Sequence, residues 1–251
     1  MELTTEFIVF LFVVEFGSYF IKGIAGFGDA LVSPPLLSLT KLTPTEIGPM
    51  NLLLNWPMNF YIAFTNRKSF SIKKTIPMIV FILIGLVPGI ICLKYASSWV
   101  LKAALGLVIF FIGIEMLTRK EAPSAKGNPV AMVMVSLVTG FFAGLFGIGV
   151  LFVAYIERTG YIDRKQFRGQ MCFVFFIENT VRLILYAAMG LYTGEIIKLA
   201  LIAAVGGFAG IFCGSKVDTK LSEATVKRII ILVFMCAGLS AFIWALVSGL
   251  Q

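Results

Sequence analysis

The sequence predicts an all-α, polytopic membrane protein built from two inverted-topology repeats. Three observations point there. The 251-residue chain is 59% hydrophobic and has a mean hydropathy of +0.97, against about 45–50% apolar residues in a soluble domain. Its apolar runs approach or exceed the roughly 20 residues that cross a bilayer, and the breaks between them are short. Glycine clusters recur at matched places in the two halves of the chain.

The first run, at about 7–21, follows MELTTE. That opening lacks the basic region of a signal peptide, so the run is read as retained. Next comes KGIAGFGDALVSPPLL (22–37), where Lys22, Gly26, Phe27, Gly28 and Asp29 interrupt an otherwise oily stretch, and an apolar run resumes at about 30–40. Further runs fall at 46–65, 75–94, 98–117, 130–157, 169–189, 196–214 and 229–249. Four breaks are basic: NRKSFSIKK (66–74), TRKEAPSAK (118–126), ERTGYIDRKQFR (157–168) and KVDTKLSEATVKR (216–228). LTPTE (42–46) and GLYTGE (190–195) are not.

Basic loops stay cytoplasmic, so the net charge of +8 reads as topology rather than as a nucleic-acid surface. The runs 75–94 and 98–117 then form a hairpin with its tip outside, as do 169–189 and 196–214. The run 130–157 joins two basic loops, and a single span cannot have both ends inside. It carries GFFAGLFGIG (140–149), so it is expected to turn back as a re-entrant hairpin of two half-helices. Such backbone is tolerated at membrane depth only beside protein or water. The alternatives are that one basic loop lies outside or that the run holds two very short spans.

The repeat emerges from register. Phe146-Gly147 stands 119 residues after Phe27-Gly28, Asn179 stands 120 after Asn59, and Gly210 stands 121 after Gly89. Each half holds one broken segment and three spans, an odd number, so the second half is inverted. The loop charges agree: LTPTE faces ERTGYIDRKQFR in the alignment, and NRKSFSIKK faces GLYTGE. The expected boundaries are 1–120 for the first repeat, 121–128 for a cytoplasmic linker and 129–251 for the second repeat. Inverted repeats with interrupted helices in corresponding positions point to a secondary transporter with its site near the midplane. A half-helix starting after each glycine turn directs free N–H groups and a positive dipole end towards that site, which suits an anion. Close helix packing is the other use of such glycines.

The glycine-rich segment leading to PLL, its counterpart GLFGIGVLF, and the tract DRKQFRGQ followed by an Asn-bearing helix and the motif Y-x-x-x-G-L-Y (186–192) together resemble the TauE/SafE sulfite exporter family (TSUP transporters). The resemblance runs over nearly the whole chain. It implies outward transport of a small sulfur-containing anion, sulfite or a C2 sulfonate, across the cell inner membrane, with no catalysis and no cofactor. One departure is Asp29, an acid beside a proposed anion site, where the second half has Ile148.

Ionisable residues inside a membrane are functional candidates, here Glu15, Lys22, Asp29, Glu115, Glu178 and Arg182. Glu15 and Lys22 share a helical face, and Glu178 and Arg182 stand at i, i+4. Either these are neutralising pairs, or Lys22 or Arg182 supplies a cation for the anion. In the second case Asp29 and Glu178 are the candidates for proton coupling. Asn51, Asn55 and Asn59 form a stripe, matched by Gln170, Glu178 and Asn179; it binds neighbouring helices or lines the substrate path. The expected substrate-binding set is Lys22, Gly26, Phe27, Gly28, Asn55, Asn59, Gly147, Ile148, Gly149, Asn179 and Arg182, with the two glycine turns as floor and roof. The chain has no histidine, and its four cysteines form no CxxC, which leaves little basis for a metal centre. GFGD (26–29) also fits an intramembrane aspartyl protease. That chemistry needs a second embedded aspartate, and Asp163 and Asp218 lie in basic loops. A channel of the same fold, or a carrier of another anion or a metal, remains the alternative.

Overall fold

A computed structural model describes residues 4–25, 28–118, 128–158, 164–216 and 223–249. Among these there are ten helices and no strand: α1 (Thr5–Ala25), α2 (Asp29–Ser38), α3 (Pro44–Thr65), α4 (Ile72–Tyr95), α5 (Ser98–Thr118), α6 (Pro129–Phe146), α7 (Val150–Arg158), α8 (Arg164–Ala188), α9 (Gly194–Lys216) and α10 (Glu223–Gly249). Six of them contain stretches long and apolar enough to span a bilayer: Thr5–Ile24, Thr75–Tyr95, Ser98–Glu115, Pro129–Phe146, Gly169–Ala188 and Gly194–Lys216. Large apolar side chains such as Val9, Phe60, Ile84, Leu201 and Trp244 are exposed along these and neighbouring helices, as lipid-facing positions require. The chain is a multi-pass membrane protein.

Both predicted interruptions are present. α1 ends at Ala25 and α2 begins at Asp29 after Gly28, whose φ of 111° lies in the left-handed region. α6 ends on Gly147, φ 75°, whose N–H donates to the Ala143 carbonyl. Only glycine adopts such angles without a steric cost. The second interruption divides its segment unequally. Its arms have 18 and 9 residues, because the turn uses Gly147–Gly149 at the far end of the glycine cluster. The earlier glycines, Gly140 and Gly144, stay helical.

The chain divides into two compact units. One comprises Met1–Asn51, Ala96–Arg119 and Thr193–Gln251; the other comprises Leu52–Tyr95 and Lys120–Tyr192. In the first, α1 packs along α9 and α5 along α10, while α2 lies against α1, α5 and α10. In the second, α4 packs along α6 and also touches α8.

Glycines make the tight pairings possible. A Cβ on Gly206 would lie 2.6 Å from the Phe12 carbonyl oxygen, and one on Gly210 or Gly214 would collide with the carbonyls of Phe16 or Phe20. On α4, Gly85 and Gly89 meet the backbone of α6 at Leu137 and Phe141 in the same way. In lipid, where apolar burial gives little net drive, this close approach is what holds helices together.

Candidate functional site

In the first unit, the ionisable residues of α1 do not pair with each other. Glu15 and Lys22 share a face as expected, but Lys22 Nζ lies 3.2 Å from Asp29 Oδ1, across the interruption between α1 and α2. The chain doubles back after Gly28, so the acid at the start of α2 comes closer to Lys22 than a residue two helical turns earlier. Asp29 thereby acquires the basic partner its position demands. It also stands in the first turn of α2, so the positive end of that helix faces its own carboxylate.

Glu15 is fully buried and accepts a hydrogen bond from Ser33 Oγ at 2.5 Å. Ser33 in turn accepts from Asn51 Nδ2 at 2.9 Å. The first asparagine of the stripe is thus bound to α2. Tyr19 lies between Glu15 and Lys22 on α1, with Lys22 Nζ 5.5 Å from its ring centre. Gly26 and Phe27 lie outside the described residues.

In the second unit, Arg182 of α8 reaches the end of α6. One terminal nitrogen donates to the Ala143 carbonyl and the other to Asn179 Oδ1 at 2.9 Å. Its Nε lies 3.4 Å from Glu178 Oε1. Arg182, Glu178 and Asn179 are all buried. The pair expected at i, i+4 is present, and the guanidinium also neutralises the negative end of α6. Tyr186, one turn further along α8, directs its hydroxyl at the Gly144 carbonyl, 3.4 Å away.

A guanidinium has five N–H donors, so each terminal nitrogen retains one beyond these bonds. A Cβ on Gly147 would lie 3.1 and 3.4 Å from those two nitrogens. The missing side chain is the reason this edge of the guanidinium has room beside it. Ile148 is buried. Gly149 carries the Phe175 ring where its Cβ would stand and opens α7.

Asn59 is buried, and its Oδ1 has no hydrogen-bond partner among the described residues; the same holds for Thr139 Oγ1. Asn55 is half-buried and engaged. Trp56 Nε1 donates to Thr180 Oγ1 at 2.9 Å, which ties α3 to α8. Glu115 is half-buried near the end of α5. Among the described residues, no three His, Cys, Asp or Glu side chains gather as a metal site would require.

Sequence reasoning gave no role to Ser33, and it noted Tyr186 only as the start of the Y-x-x-x-G-L-Y motif. Ser33 lies one turn after Asp29 on the same short helix, and Tyr186 one turn after Arg182. Helical spacing alone would have flagged both, but the partners of both are on other helices.

The family model described as "Sulfite exporter TauE/SafE" matches residues 10–241. A "Probable membrane transporter protein ORF9" from Sinorhizobium sp. is 23% identical over 246 residues, covering 92% of this chain and 91% of that protein. No solved structure matches the chain. With an interrupted helix in each half, and a family match running from α1 into α10, the chain belongs to the TauE/SafE family of membrane transporters.

Proposed function

We propose that this protein exports a small sulfur-containing oxyanion, sulfite or a C2 sulfonate, across the cell inner membrane by alternating access. The family match supports the cargo class. The single observation that carries the site is Arg182. Its guanidinium is anchored through Ala143, Asn179 and Glu178, yet it keeps two N–H groups on the edge left open by Gly147. A planar fork of this kind matches an oxyanion with two bonds at once. The start of α7 adds N–H groups and the positive end of its dipole.

Charge dictates the coupling. Glu178 and Arg182 neutralise each other, so a bound anion would leave the buried group with an excess negative charge, which is costly. A proton on Glu178 removes that excess, so proton and anion move as one neutral load. Asp29, already matched by Lys22, is the weaker candidate for this proton.

The inverted-repeat reading draws support from the helix order. An interrupted pair followed by three long helices occurs twice, α1 to α5 and α6 to α10. The left-handed glycines Gly28 and Gly147 occupy matched positions. Under the same correspondence, α1 against α9 becomes α6 against α4, and these two pairs carry the glycine contacts. Alternating access between repeat-related bodies follows from such a plan.

The test is flux of labelled sulfite, thiosulfate, sulfate, taurine and sulfoacetate in proteoliposomes, with and without a pH gradient. Saturable, gradient-driven flux of one sulfur anion is expected, lost in Arg182→Gln while the protein remains monodisperse. Flux that never concentrates the anion would instead identify a channel. Failure of every anion on the panel would overturn the cargo assignment.

A further inference from the structure

Glu15 is fully buried at the middle of α1, and among the described residues no cation pairs with it. Its Oε1 accepts from Ser33 Oγ, while its Oε2 has no hydrogen-bond partner among the described residues. Lys22, the positive charge on the same face, is bridged to Asp29.

Among the described residues, the surrounding helices bring no second cation to Glu15. On α1 the remaining ionisable neighbour is Tyr19, whose buried hydroxyl is likewise without a hydrogen-bond partner. α2 carries only Asp29. α9, packed along α1, has no charged side chain between Lys198 and Lys216. α10, packed on α2, has none from Ile231 to Gly249. On α5, Lys102 donates to the Thr40 carbonyl at 3.0 Å, and Glu115 is a further acid. On α3, Glu46 is bonded to Thr43 at the start of the helix.

A permanently ionised glutamate at this depth would be given a cation, and a permanently neutral one an acceptor for its O–H. Oε2 has neither. The bond order around Ser33 is also directional. Ser33 accepts from Asn51 and donates to Glu15, so the relay holds one carboxyl oxygen and leaves the other open. A single buried carboxyl oxygen without a partner suits a proton. A sodium ion would need several oxygens turned towards it; Ser33 Oγ and Glu15 Oε1 are committed to each other, while Asn51 Oδ1 and the Tyr19 hydroxyl have no partner among the described residues, so sodium is the competitor the spectra must exclude.

We propose that Glu15 is a proton-binding site separate from the Arg182 centre, loaded and unloaded during the transport cycle, with Ser33 and Asn51 as its positioning residues. In the step, an O–H bond of a hydronium ion breaks as one forms on Oε2, leaving water and a neutral carboxyl. Release to water on the other side of the membrane reverses it. The proposal rests on the chain being a transporter, but not on which anion it carries.

The test reads protonation directly and needs no cargo. Infrared difference spectra of the protein in lipid would be recorded across pH 5 to 9, in the C=O stretch region of neutral carboxyls. A band that titrates, persists in Asp29→Asn and Glu178→Gln, and vanishes in Glu15→Gln is expected. In Ser33→Ala the band should move to higher frequency, because the carbonyl oxygen loses its donor. Should Glu15→Gln fail to fold, glutamate labelled with 13C at the side-chain carboxyl gives the answer in wild-type protein, since only a glutamate band shifts. Glu15→Asp then separates Glu15 from the other glutamates. A band that survives in Glu15→Gln, or does not respond to glutamate labelling, overturns the proposal. So does the absence of any titrating band, or a band abolished at fixed pH by millimolar sodium. A missing sulfur-anion flux would count against the cargo alone, because these spectra do not depend on it.

Discussion

Arg182 is held by three different groups, and each sets a different expectation when the side chain changes. Removing its charge strands Glu178 in a buried setting and frees the Ala143 carbonyl, so Arg182→Gln should lose about 3–5 kcal/mol of stability. The double variant with Glu178→Gln should recover much of that loss without recovering flux, which thermal unfolding and transport measured side by side would check. Lysine keeps the charge but not the fork, so Arg182→Lys should fold far better than Arg182→Gln and still transport poorly. Gly147→Ala tests the open edge. The left-handed angle costs a Cβ about 1–2 kcal/mol, and the methyl would stand against both terminal nitrogens, so the apparent affinity for the anion should fall more than the melting temperature. At the other interruption, Lys22→Met should destabilise by a similar margin to Arg182→Gln, and Lys22→Met with Asp29→Asn should restore most of it. A double-mutant cycle in unfolding experiments reads that coupling directly.

At the scale of helices, the glycines sort into those with a neighbour and those without. Gly17 lies inside α1 with nothing within 4 Å of its would-be Cβ. Gly17→Ala should therefore be neutral or gain up to about 1 kcal/mol from helix propensity. A Cβ on Gly89 would strike the Phe141 carbonyl, so Gly89→Ala must push α4 and α6 apart and should cost about 1–3 kcal/mol. The contrast between two chemically identical substitutions, read by thermal unfolding in detergent, distinguishes packing from propensity. The short helix α2 follows a similar logic. It contains Pro34 and Pro35, yet it is only ten residues long and buried along most of its length, so neighbouring helices rather than its own ladder hold it in place.

At the scale of the whole chain, the alternation of basic and non-basic loops makes a prediction about sidedness. A membrane-impermeant thiol reagent added outside cells should label cysteines placed at Tyr192 or Thr193 and not at Ser69, since positive loops remain inside. Equal labelling of both would overturn the inverted arrangement while leaving the helices as they are. The compact units cut across the sequence halves: α1 keeps company with α9, and α4 with α6. A body that moves during transport therefore need not correspond to a contiguous stretch of chain.

The helices and their interruptions were legible from sequence because they depend on local quantities. Apolar runs of membrane length report spans whatever surrounds them, and glycines at Gly28 and Gly147 report turns because other residues rarely adopt those angles. The pair Glu178–Arg182 was legible for the same reason, being one helical turn apart. The partner of Lys22 was not. Spacing nominated Glu15, seven residues back, whereas the chain reversal after Gly28 brought Asp29 to 3.2 Å. Nor could spacing show that Arg182 binds a carbonyl 39 residues away, or that Ser33 and Asn51 secure Glu15 from two other helices. Periodicity records which face of a helix a residue is on. Which helix meets that face is decided by how closely backbones can approach, and so by tertiary packing.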